Sequence, residues 1–229
     1  MNCIECGREA LLVKKPIVLY DGLRVQNVYL RNAETEVCRH CGSETPVIRN
    51  VKKVHLMISL GIALQPTKLS GDEVRFLRKA MRLNVAEWAA RIGIAGETFS
   101  RWENGRSPAQ QVEKLARIDF LINVAKDFSI DVVLPDFIVE VLTSDLGDRR
   151  DFGIVIDVEN LDARPVYANL SATEFAVPGL SYIEASTVAN NTLAPVRLFG
   201  GGKMLVADQS DLVSIEEKFD ACDSFAFAA

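Results

Sequence analysis

The chain has no long apolar run. Nothing in its 229 residues approaches the roughly 20 apolar residues a bilayer-spanning helix needs, and the N-terminus lacks the charged-then-apolar layout of a secretory leader. Cytoplasmic residence and no membrane partner are the expectation. Lysine is nearly missing from the back half: residues 127–229 hold only Lys203 and Lys218, neither in recognisable flanking sequence. That argues against a self-cleaving repressor, whose chemistry pairs a serine with a lysine. A phosphate-cradling loop is missing too. Phe199-Gly200-Gly201-Gly202-Lys203 does not keep the GxxxxGK[ST] spacing and is followed by Met204, so it reads as a hairpin turn. With two histidines, metal chemistry through imidazole has little to work with. His40 reads as an exposed side chain, and His55 has no partner at helical spacing. No residue is assigned a catalytic role, and the chain is expected not to be an enzyme.

Positive charge is also short overall, at a net charge of −5, but the average hides a division. Residues 1–126 carry 20 basic and 13 acidic side chains, whereas residues 127–229 carry 6 and 18. A basic front and an acidic back suit a nucleic-acid reader joined to a part with another task.

Cysteine is where the sequence is most specific. Cys3-Ile4-Glu5-Cys6 and Cys38-Arg39-His40-Cys41 each present two thiolates on one tight knuckle, and a glycine follows each pair (Gly7, Gly42). Two such knuckles complete a tetrahedral, closed zinc site with no position left for catalysis. Two disulfides are disfavoured in a cytosolic chain, and a redox pair does not explain the second CxxC. Between the knuckles, Pro16–Tyr20 and Leu23–Leu30 are strand-like runs around Asp21-Gly22, a hairpin signal, so residues 1–50 read as a zinc ribbon.

Val51–Leu64 reads as a helix with Leu56, Leu60 and Leu64 on one face, although Gly61 weakens it. It packs the ribbon against the next domain, and Gln65-Pro66-Thr67 ends it. From Ser70 to Gly105 three short helical patterns succeed one another. Ser70 and Glu73 form a capping box ahead of Val74, Leu77 and Met81. Asn84 caps a second pattern (Val85, Trp88, Ala89, Ile92), and Gly93 supplies a turn. A third segment, Glu97–Glu103, buries Phe99 and Trp102 and stops at Asn104-Gly105. Helix, glycine turn, helix is a helix-turn-helix, whose second helix enters the major groove of double-stranded DNA. Pro108 opens a further helix reaching about Ala125.

The stretch FLRKAMRLNVAEWAARIGI–TFSRWENG resembles the XRE, lambda-repressor-like class of helix-turn-helix. The resemblance implies that Arg78 pairs with Glu103 beneath the recognition helix. It implies that Gly96, Glu97, Ser100 and Arg101 read bases and phosphates, with phosphate contacts near Thr98, Asn104 and Arg106. Arg101 is the residue expected to contact guanine, and Glu97 is matched to a cytosine amino group. Two departures bear on docking: Val85 stands where a polar phosphate-binding residue is usual, and Ala95 where a serine or threonine cap is usual. A zinc ribbon of this spacing ahead of such helices resembles the YgiT-type zinc finger proteins, which include the MqsA-type antitoxins, over about residues 1–125. That likeness implies a homodimer on palindromic DNA that represses its own operon, and in some members a zinc domain that grips a ribonuclease toxin.

The fold class expected is therefore α+β: zinc ribbon (1–50), linker helix plus all-α helix-turn-helix domain (51–126), and a small mixed α/β or mostly β C-terminal domain (127–229). In the last part, Ile130–Leu134, Phe137–Leu142 and Phe152–Val158 are β-branched or apolar runs. Val166–Leu170, Val196–Phe199 and Met204–Ala207 are shorter ones, and Asp211–Phe219 reads as a final helix. Asp157, Glu159 and Asp162 read as a solvated strand edge before a metal cluster, and Cys222 as a structural thiol. The apolar tail Ser224–Ala229 resembles termini recognised by bacterial ATP-dependent proteases. Two functions remain open: a sequence-specific transcriptional repressor, or an antitoxin that neutralises a protein and regulates its operon. A basic toxin would suit the acidic half electrostatically.

Overall fold

The computed structural model describes residues 2–65, 67–128, 134–143, 146, 152–159, 161, 166–167, 175–176, 180–184, 196–198 and 205–207. Strands β1 (Ala10–Leu19) and β2 (Val28–Cys38) form an antiparallel hairpin with Ala10 opposite Cys38 and Leu19 opposite Tyr29. β1 is an edge strand, so Pro16, which has no N–H, is tolerated there; the pairing skips it, and Asn32 takes φ 56° at the break. Both strands run further than the sequence predicts, and the connection differs from a two-residue Asp21-Gly22 turn. The Tyr20 amide donates to Val28 O at 2.8 Å, closing a longer loop that bends at Asn27, φ 58°. Leu23 and Val25 therefore lie in the loop, and Val25 plugs the core from there.

The sheet does not end with the ribbon. β3 (Glu44–Pro46) pairs with Thr35–Val37 of β2. β4 (Phe152–Asp157) pairs with β2 in parallel, Val28 opposite Ile154 and Arg31 opposite Asp157. β7 (Leu180–Glu184), β8 (Val196–Leu198) and β9 (Leu205–Ala207) follow antiparallel, giving the order β1-β2-β4-β7-β8-β9. β5 (Val166–Tyr167) and β6 (Phe175–Ala176) pair separately. Strands from residues 1–50 and from residues 127–229 thus share one sheet.

Helix α1 (Val51–Leu64) starts at Asn50, whose side chain accepts from the Lys53 amide, and is buried from Met57 to Leu64 on every side. A helix apolar all round belongs in an interior, and α1 lies between the sheet and the remaining helices. Gly61 has a reason to be glycine: a Cβ there would stand 3.0 Å from Ile154 Cγ2 and 3.1 Å from Leu180 Cδ1. Helices α2 (Gly71–Ala80), α3 (Val85–Arg91), α4 (Gly96–Glu103) and α5 (Gln110–Phe128) make the bundle. Both Ser70–Glu73 and Asn84–Glu87 are reciprocal capping boxes. One apolar core runs from Val28 and Leu30 of the sheet through Ile58 and Ile62 to Leu77, Trp88, Phe99 and Phe120.

The Phe137–Leu142 run is helical, within α6 (Leu134–Thr143). Pro135 fits a first helical turn, Val141 is buried, and Lys114 Nζ of α5 donates to Leu142 O at 2.8 Å, satisfying a carbonyl of the last turn. The fold is mixed α/β, with six helices among the described residues. Residues 130–133, Asp162, 199–204, Asp211–Phe219, Cys222 and Ser224–Ala229 lie outside the described residues, so the readings made for them do too. β8 and β9, which flank 199–204, pair antiparallel with Leu198 opposite Leu205.

Candidate functional site

The two cysteine knuckles sit where β1 begins and β2 ends. In each, the chain reverses through a glycine in the left-handed region, Gly7 at φ 72° and Gly42 at φ 74°, whose amides donate to Cys3 O and Cys38 O at 2.9 Å. The Ala10–Cys38 pairing holds the knuckles together. Cys3 Sγ lies 3.6 Å from Cys41 Sγ, Cys6 Sγ 3.5 Å from Cys38 Sγ, and all four sulfurs fall within 4.8 Å of one another. None is in a disulfide. A tetrahedron with metal–sulfur bonds of about 2.3 Å has sulfur–sulfur edges of roughly 3.8 Å, so the cluster fits one metal ion. The Ser43 hydroxyl, 3.1 Å from Cys3 Sγ and 3.4 Å from Cys41 Sγ, draws the Cys3 pKa down to about 6 and lowers that of Cys41. For Cys6 the Arg8 amide favours the thiolate, but burial and the neighbouring sulfurs push the pKa up to about 12. Four sulfurs this close cannot all ionise without a cation among them. His40 stands outside the cluster, exposed, with Nδ1 2.9 Å from Arg8 Nη1. His55 is no ligand: Tyr20 Oη lies 3.1 Å from its Nε2, its ring stands edge-on to Phe76, and burial holds its pKa below the usual range.

The second feature is α4. Its inner side carries Phe99 and Trp102, both buried; the Phe99 ring lies 5.0 Å from that of Trp88 and 5.7 Å, edge-on, from that of Trp102. Its outer side carries Glu97, Thr98, Ser100 and Arg101, with Asn104 and Arg106 just beyond; all six are exposed, and Gly96 is half-buried. Arg101 is 61% exposed and, among the described residues, has Glu97 beside it at 3.6 Å as its one ion-pair partner. An exposed pair of this kind is weak and leaves the guanidinium available. Asn104 Nδ2 turns back to cap Ser100 O at 2.8 Å. Ala95 gives the helix no side-chain cap, and Val85 is half-buried against the core.

Beneath α4, Glu103 accepts from Arg78 Nε at 2.6 Å and Arg78 Nη2 at 3.1 Å, while Arg78 Nη1 reaches Leu83 O. Arg75, which sequence reasoning did not single out, adds bonds to Glu103 Oε2 and to its carbonyl. Gly71 lets α2 approach that carbonyl: a Cβ would meet Glu103 O at 2.4 Å. Two further polar clusters also escaped sequence reading. Arg117 and Glu113, 1% exposed, pair at 2.7 Å across one helical turn. Arg117 also donates to Ala63 O, Gln65 O and Thr67 O, and Glu113 accepts from the Leu69 amide. Their i,i+4 spacing was a readable signal; their burial was not. Asp119 takes Trp88 Nε1 at 2.9 Å and Arg91 at 2.7 Å. In the back half, Asp157 accepts from Asn32 and Glu159 pairs with Lys14, so each is tied to the hairpin.

Cysteine knuckles on a hairpin, followed by a helix-turn-helix with a polar outer face, define a class of metal-site proteins built around that motif. The family model described as the antitoxin component of bacterial toxin–antitoxin system, MqsA, matches residues 1–121, and the chain belongs to that family. No curated protein and no solved structure matches it. The family match ends before α6 and β4–β9 begin. Among the described residues, no helix is long and apolar enough to cross a membrane.

Proposed function

We propose that the chain is a cytoplasmic, DNA-binding antitoxin that represses its own operon as a homodimer, acting by binding and not by catalysis, with zinc as the structural metal. The observation that carries this is the outward face of α4, where Arg101 and five further polar residues stand clear over a buried aromatic wedge. A symmetric dimer would set two such helices in successive major grooves, about 34 Å apart. Arg101 reads guanine, Glu97 a cytosine amino group, and Thr98, Asn104 and Arg106 hold phosphates. Zinc is supported by the S4 donor set, which suits it better than hard cations.

The test is a mobility shift on the chain's own promoter and on scrambled DNA. Arg101→Ala is expected to cost about 1–3 kcal/mol at one base position, while Arg106→Ala weakens all sequences alike. Equal loss of Arg101→Ala on every DNA would remove the base-reading role. The family supports neutralisation of a toxin alongside repression. Its partner is a basic protein held by the metal-site hairpin or by the acidic back half. Co-expression with a neighbouring short reading frame, followed by co-purification, separates an antitoxin from a plain repressor.

A further inference from the structure

A concavity of about 1010 Å³ opens between the β1–β2 loop, α1, α2 and α5, and it carries four basic side chains that none of the roles above uses. Arg24 comes from the loop, Lys52 from α1, and Lys79 and Arg82 from the end of α2. All four are exposed, and none has an acidic partner among the described residues. Asp72 also borders the space, but Arg75 holds it at 3.1 Å. The floor is apolar and partly aromatic, with Leu56 and Phe76 half-buried. The volume is that of a small-molecule site.

A second observation is independent of the charge. Arg82 stands at φ 59° just past the end of α2, where its amide donates to Lys79 O and the Leu83 amide to Arg78 O. That is a Schellman ending, whose left-handed position glycine fills without steric cost. Among the described residues, the other non-glycine positions with positive φ are Asn27 and Asn32, and asparagine tolerates that region. An arginine there spends local stability, and such outliers gather at binding sites. What it gains is a guanidinium on the rim of this concavity.

We infer that this concavity binds a nucleoside polyphosphate, with Arg24, Lys52, Lys79 and Arg82 taking the phosphates and the base lying over Phe76. Guanidinium and ammonium groups from three separate elements line this one concavity, a charge set that suits a multiply charged phosphate chain, and an aromatic floor suits a base of any sequence. The bound nucleotide would tie the metal-site hairpin to the DNA-reading helices. The same cations, turned to duplex DNA, would instead meet backbone phosphates, and the experiment separates the two sources.

The metal-loaded full-length chain is titrated calorimetrically with ATP, GTP and inorganic tripolyphosphate, and its promoter affinity is measured in parallel. Saturable one-to-one binding of a nucleotide, tighter than tripolyphosphate, is expected. Arg82→Gly should weaken it at least tenfold while raising the melting temperature, a combination that misfolding does not produce. Lys79→Ala should weaken it without that rise. Absence of saturable nucleotide binding, or unchanged nucleotide affinity in Arg82→Gly, overturns the inference. Promoter affinity lost in Arg82→Gly with no nucleotide bound to the native chain assigns the cations to DNA and also overturns it. Neither result touches the role of Arg101, which is read from base preference.

Discussion

The two ends of the molecule are held by different forces. The helical bundle buries Leu77, Trp88, Phe99 and Phe120 completely and Trp102 almost so, a core that excludes water over several turns of helix. The knuckle end buries only Cys3, Ala10 and Cys38, with Cys6 packed beside them. So little apolar surface does not offset the ordering of two loops. What remains there is four sulfurs at mutual repulsion, which a metal ion converts into the strongest local bond. The apolar core of one end is complete without an ion, and that of the other is not. Loss of an ion from the knuckles would open that end while the helices, and the hairpin residues packed in their core, stay folded.

The largest effect that tests this division is metal removal. Structural zinc sites contribute about 10 kcal/mol or more of folding free energy, so chelation, or Cys38→Ser, should open the knuckles and leave helical circular dichroism nearly unchanged. Trypsin should then cut at Arg8 and Arg39 and spare α2–α5. A single cooperative loss of both ends would erase the contrast. Next comes Gly71→Ala, which drives a Cβ into the Glu103 carbonyl at 2.4 Å, backbone that cannot swing aside. It should cost about 3 kcal/mol in urea unfolding and leave metal affinity intact.

Arg78→Ala ranks third, at about 2–3 kcal/mol. Stranding a buried carboxylate usually costs more, but Arg75 stays within 3.4 Å of Glu103. Arg75→Ala should cost less than Arg78→Ala in the same assay; the reverse order would make Arg75 the main partner. Smallest is Gly61→Ala. The helix gains about 1 kcal/mol of propensity, while the Ile154 and Leu180 side chains must yield a few tenths of an ångström. A net change within about 1 kcal/mol is expected, and a loss of 3 would show that the sheet face of α1 has no slack.

Much of this was legible because the signals were short-range. CxxC spacing, the Ser70–Glu73 box, the Asn84 cap and the Gly93 turn each act within four residues, and the helices arise from them. The face of α4 was legible for a related reason: with Phe99 and Trp102 committed inward, the helical period leaves Glu97, Thr98, Ser100 and Arg101 outward. The long loop after Tyr20 was not, since Leu23 and Val25 look like strand residues until a core exists to receive them. Phe137–Leu142 likewise became a helix because α5 offered it a face and a capping lysine.

The sequence by itself determined the four sulfurs that can hold a metal ion, the order of helices α1–α5 and the side chains α4 turns to solvent, because caps, knuckles and periodicity are written in neighbouring residues. Only the tertiary structure decided that β4 joins β2 in parallel, that Arg75 and Arg78 share Glu103, that Arg117 pins the α1–α2 connection, and that four cations surround one concavity. Those depend on residues tens of positions apart meeting in three dimensions. A parallel strand pair or a buried ion pair leaves no local mark, since its free energy arises only once water has been excluded from both partners together.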